Sequence, residues 1–83
     1  MEKRIAVMAV VVESTDCIGE LNNILHEYGE YIIGRMGIPY HARNINLISV
    51  AIDAPEEVII SLREKLAALP GVRAETAMSD KLD

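Results

Sequence analysis

The run Arg4 to Glu13, RIAVMAVVVE, constrains the fold of this chain more than any other segment. It is uninterrupted and rich in β-branched residues, which suits a strand buried on both faces. Successive side chains of a strand point to opposite faces, so a strand with one wet face alternates apolar and polar. Here both alternating sets, Ile5/Val7/Ala9/Val11 and Ala6/Met8/Val10/Val12, are apolar. Whatever this strand joins has to cover it twice.

The rest of the chain supplies one cover. Ser14, Thr15 and Asp16 are good N-caps, and from Cys17 the apolar residues Ile18, Leu21, Leu25 and Tyr28 recur at helical spacing, with Gly29 as a C-cap. A second strand is predicted over Glu30 to Ile38 and a third over Ile45 to Asp53. Asp53 and Glu56 have capping-box spacing, and Pro55 fits a first helical turn. Val58, Ile59, Leu62, Leu66 and Leu69 then mark the apolar face of a second helix. Pro70-Gly71 forms a tight turn, and Val72 to Met78 alternates as an edge strand does.

The order βαββαβ predicts an α+β, ferredoxin-like sandwich. Right-handed crossovers give a four-stranded antiparallel sheet in the order 4-1-3-2, with both helices on one face. The second sheet face is then bare, although strand one is apolar there. Strand three repeats the pattern, with Ile48/Val50/Ile52 on one side and Ile45/Leu47/Ala51 on the other. No loop is long enough to cover that face, so the expected cover is another copy of the chain. A homodimer or homotetramer through the open sheet face or its edges is the expectation.

Composition narrows the function. At 83 residues the chain is one domain, 1–83, with 79–83 read as a frayed tail. Trp and Phe are absent and Tyr occurs three times, so the core is aliphatic. A net charge of −5, with eight basic residues scattered along the chain, argues against direct nucleic-acid binding. No apolar run approaches the ~20 residues of a membrane span. One cysteine, Cys17, and no recognisable signal peptide point to the reducing cytoplasm.

Candidate site residues are few. The hairpin end Pro39–Asn44 is expected beside the helix-one N-terminus, whose free N–H groups attract anions. Ser14, Thr15, Arg35, His41 and Arg43 are therefore candidate ligand contacts for a small anion or carboxylate. The alternative is structural: Gly34 and Gly37 permit a bulge, Pro39 ends the pairing, and Arg35 faces solvent or a neighbouring subunit. Cys17 and His26 are separated by nearly ~14 Å along one helix, and His41 lies elsewhere, so no metal site within one chain is expected, while a site shared between subunits stays geometrically open. Cys17 reads better as a small buried hydrophobe than as an acidified thiol. No catalytic grouping stands at interpretable spacing, and no cofactor is expected. An acylphosphatase's arginine loop is replaced by VVESTD, and the central strands lack the base-stacking aromatics of RNA-recognition modules.

Taken together, MEKRIAVMAVVVE, GEYIIGRMGIPY, NINLISVAID and LAALPGVR resemble one family, that of the proposed regulators of the iron-only hydrogenase system. The resemblance runs from Lys3 to about Met78. Its most specific part is Arg35-Met36-Gly37-Ile38-Pro39, followed by an apolar strand and LPGV. It implies a fold similar to ACT domains and to the effector domain of the nickel-responsive ribbon-helix-helix repressor. With the fold pattern, the two-sided apolar strands and the absence of a catalytic grouping, the expectation is a non-enzymatic regulatory role, exerted by an oligomer that senses an effector or binds a protein partner. The alternative is a small-molecule or metal sensor of the ACT or nickel-responsive type. Against nickel, Gly37 and Pro39 stand where two of that repressor's histidines would lie, and Asn44 to Asn46 stand around its cysteine. His26 matches a helix-end histidine but makes no site alone. The repressor's DNA-binding ribbon has no counterpart before the first strand.

Overall fold

The computed structural model describes residues 2–81. Its elements follow the expected order: β1 (Arg4–Val12), α1 (Ile18–Glu27), β2 (Ile32–Tyr40), β3 (Ile45–Ala54), α2 (Glu56–Ala67) and β4 (Val72–Met78). The sheet is antiparallel with order β2-β3-β1-β4, which is the predicted order read from its other edge. Both helices pack on one face. Ala6, Met8, Val10 and Val12 of β1 meet Val50 and Ile52 of β3, Leu21 and Leu25 of α1, and Ile59, Leu62 and Leu66 of α2. The core is wholly aliphatic apart from the Cys17 thiol and the Met8 thioether.

Two side-chain contacts lock the helix layer. The Tyr28 and Ser61 hydroxyls lie 2.9 Å apart, joining the end of α1 to α2. Lys65 Nζ sits 5.2 Å from the Tyr28 ring centroid, within reach of its negative π-face. At the other end of the sheet, Val72 N–H donates to Leu69 C=O at 3.2 Å, closing the turn through Pro70 and Gly71. Gly71 has φ +75°, and Pro followed by a positive-φ glycine is the type II pattern. The Glu13 N–H donates to the Gly71 carbonyl at 2.7 Å, tying this turn to the exit of β1.

Local structure departs from the sequence reading in several places. The first helix opens with a 3₁₀ turn, Thr15–Cys17, capped by Ser14, whose Oγ accepts from the Asp16 N–H at 3.3 Å. Tyr28, not Gly29, is the C-cap of α1, and Gly29 begins another 3₁₀ turn that takes up Glu30. Asp53 forms no capping box. β3 runs on to Ala54 and holds Asp53 opposite Ile5 on the bare face, so Pro55 becomes the N-cap. Pro39 does not end the pairing of β2. It stays in register with Asn46, and Tyr40 with Ile45, which an edge strand tolerates because one row of its N–H groups has no partner. The connecting turn shrinks to His41–Arg43 and Asn44, the latter left-handed at φ 54°. A register irregularity lies between Ile32 and Gly34, consistent with a bulge at Ile33.

Ser79 extends the β4–β1 contact: its N–H donates to Ile5 C=O at 2.8 Å and its carbonyl accepts from Arg4 Nη1 at 2.9 Å. Leu82 and Asp83, the end of the tail read as frayed, lie outside the described residues.

Candidate functional site

The uncovered sheet face is built by the strand alternation. Registers place Ile5, Val7, Ala9 and Val11 of β1 beside Leu47, Ser49 and Ala51 of β3. Gly34, Met36, Ile38 and Tyr40 of β2 continue the face on one side. Arg73, Glu75 and Ala77 of β4 continue it on the other. Six of the eight large apolar side chains exposed among the described residues lie here: Ile5, Val7, Met36, Ile38, Tyr40 and Leu47. Met36, at 64 %, is exposed more than any of the other five. These side chains form a contiguous apolar surface on the sheet face opposite the helices.

Behind β2, on the helix side, the architecture leaves a groove. β2 is an edge strand, and every residue after Ile32 is exposed. Its helix-side positions are Arg35, Gly37 and Pro39, opposite Val50, Ile48 and Asn46 of β3. A recess of about 220 Å³ lies between this row and Ile18, Leu21 and Asn22 of α1. An adjoining recess of about 360 Å³ is lined by Asn22, Leu25, His26, Gly29, Ile32 and Arg35. Arg35 and Asn22 border both, and Arg35 Nη2 donates to Asn22 Oδ1 at 3.0 Å.

The five candidate ligand contacts divide among these places. Thr15 and His41 do come together, lining a recess of about 90 Å³ with Pro39, Tyr40 and Asn44 at the hairpin end. Ser14 has its hydroxyl engaged in the 3₁₀ cap. Arg35 points away from the hairpin end and into the α1–β2 groove. Arg43 is exposed in the turn and lines none of the three recesses. The sequence reading passed over Asn22, the partner of Arg35. Its signal is helical spacing, four residues after Ile18 and three before Leu25, which sets it beside the buried stripe of α1.

Cys17 is buried, with Sγ 3.6 Å from the Ser14 carbonyl and 3.5 Å from the Pro70 carbonyl, so it packs as a small hydrophobe. His26 and His41 line different recesses. Among the described residues no three His, Cys, Asp or Glu side chains gather as a metal site, and no helix is long and apolar enough to cross a membrane.

Comparison with known proteins agrees with this architecture. The chain superposes on the uncharacterized protein TM1266 from Thermotoga maritima with a TM-score of 0.88 and 28% identity, covering 92% of this chain and 96% of that one. It also superposes on a formyltetrahydrofolate deformylase from Pseudomonas putida KT2440 with a TM-score of 0.66 and 14% identity. That match covers 93% of this chain but 29% of the deformylase, and it shows a shared fold alone. No curated protein matches the sequence. The family model TM1266-like, described as "Iron-only hydrogenase system regulator, putative", matches residues 4–76. With most of its length inside that match, the chain belongs to the TM1266-like family.

Proposed function

We propose that this protein is a non-enzymatic regulator of the iron-only hydrogenase system that works as a homo-oligomer in the cytoplasm, with the open sheet faces of two chains packed together. The observation that carries the reading is the row of exposed apolar side chains on that face, from Ile5 and Val7 through Leu47 to Met36, Ile38 and Tyr40. The family's regulatory description supports the role, and a lone buried cysteine suits a reducing compartment.

The area is adequate for a pair. Four strands ~4.8 Å apart and nine residues long at ~3.3 Å each present roughly 600 Å². Two such faces together bury about 1,200 Å², the lower end of the range for stable interfaces. Arg73 and Glu75 at the β4 side of the face are of opposite sign, so a two-fold axis there lets each chain's arginine meet the other's glutamate.

The test of the regulatory role is genetic. Deleting the gene in its host is expected to change iron-only hydrogenase activity, measured as hydrogen turnover. Wild-type protein restores it, and Val7→Glu, which places a charge in the middle of the apolar face, does not. Hydrogenase activity unchanged by the deletion would contradict the role.

A further inference from the structure

We propose that the groove between α1 and β2 binds a small organic carboxylate, its carboxylate on the Arg35 guanidinium and its apolar tail over Gly37. This deepens the regulatory reading, on which its role as an effector rests, by giving the effector's chemical class. The binding itself stands on the geometry of one chain.

Charge is the first argument. Arg35 forms no ion pair among the described residues, and its one polar partner there is the neutral amide of Asn22. A guanidinium has five N–H donors in a planar fork that matches a carboxylate, and Asn22 takes one of them. The walls around it are mixed: Ile18 and Leu21 from α1 and Ile48 and Asn46 from β3 in one recess, and Leu25, His26 and Ile32 in the adjoining one. Arg35 is solvent-exposed at the mouth of the groove, so a guest can place its anionic end on the guanidinium there and its apolar body against the aliphatic walls behind it.

Gly37 is the second argument. Glycine inside a strand is less favourable than alanine because it loses more backbone freedom and packs no side chain, so it needs a reason. Neither backbone conformation nor crowding within the chain supplies one. Its φ is not in the left-handed region, and a Cβ built there would meet nothing within 4 Å. The space a side chain would fill is the groove itself. A strand glycine marks a bulge, a bend or the close approach of a ligand or another backbone, and the register is regular at Gly37.

Volume sets the size of the guest. A dry cavity of ~150 Å³ takes benzene, and the recess beside Gly37 is about 220 Å³. A benzoate-sized acid fits, with the 360 Å³ recess beyond Arg35 available to a longer one.

The experiment is a titration of the full chain with sodium benzoate, followed by backbone and side-chain amide NMR, with benzamide as the neutral isostere. Saturable shifts are expected at Gly37, the Asn22 side-chain amide and Arg35 Nε. Benzamide, and benzoate against Arg35→Gln, should bind at least about tenfold more weakly. Gly37→Leu should fill the groove and abolish binding while keeping the wild-type amide spectrum elsewhere. The same titration on Val7→Glu separates this proposal from assembly, because the groove lies within one chain. Absence of saturable shifts in the groove would overturn the proposal, as would equal binding of benzamide or undiminished binding to Arg35→Gln. Shifts at Thr15 and His41 in place of Gly37 would also overturn it. So would shifts at Gly37 caused by raising protein concentration alone, since a second chain would then occupy the groove.

Discussion

Val7 is 48 % exposed, while Met8, the next residue of β1, is completely buried. Two adjacent apolar residues with opposite fates show that the helix layer accounts for only half of the hydrophobic pattern in this strand. The other half is spent on a face that a single chain leaves in water. An aliphatic side chain gains about 1.5–3 kcal/mol on full burial, so a face carrying six large ones is a strong drive to association.

The turn after α2 is the most demanding backbone position. A side-chain carbon on Gly71 would fall 2.9 Å from Ser14 Cβ and 3.3 Å from the Ser14 nitrogen, and φ there is +75°. Gly71→Ala should destabilise the fold by about 1–3 kcal/mol, seen as a lower urea midpoint with an unchanged m-value. Gly37→Ala is the control. With open space and ordinary backbone angles it should leave stability unchanged or raise it by up to ~1 kcal/mol.

Tyr28→Phe removes the hydroxyl that meets Ser61 at 2.9 Å and leaves the ring in place. The expected loss is about 0.5–1.5 kcal/mol by urea unfolding. Ser61→Ala in the Tyr28→Phe background should add little, because the pair acts as one bond. Additive losses would show that the two hydroxyls are not partnered.

Cys17 tests the packing beneath the first 3₁₀ turn. The residue is 4 % exposed and lies between the Ser14 and Pro70 carbonyls. A chromogenic disulfide reagent should label the native protein at least about a hundredfold more slowly than the urea-unfolded chain, since access requires local opening. Labelling at the unfolded rate would contradict the burial.

Much of this architecture was legible because its strongest signals are local. The two-sided apolar run of β1, the Pro70-Gly71 turn and the alternation of Val72 to Met78 each appear in the structure where the sequence puts them. β2 was not legible in the same way. Its glycines and proline blur the period-two pattern, and the irregularity near Ile33 resets which side chains face the helices. A one-residue slip in a strand exchanges its two faces. The direction of Arg35 therefore depended on where the irregularity falls, which Gly34 permits but does not fix, and the residue belongs to the α1–β2 groove and not to the hairpin end. The pairing of Thr15 with His41 was legible, because it follows from topology alone.

Light scattering coupled to size exclusion measures whether the open sheet face joins two or more chains. Wild-type protein is predicted to elute with at least twice the 9.2 kDa chain mass. Val7→Glu should elute at the mass of one chain while keeping the wild-type circular dichroism spectrum. A wild-type protein that stays at single-chain mass at every concentration would contradict the account, as would a Val7→Glu variant that assembles like wild type.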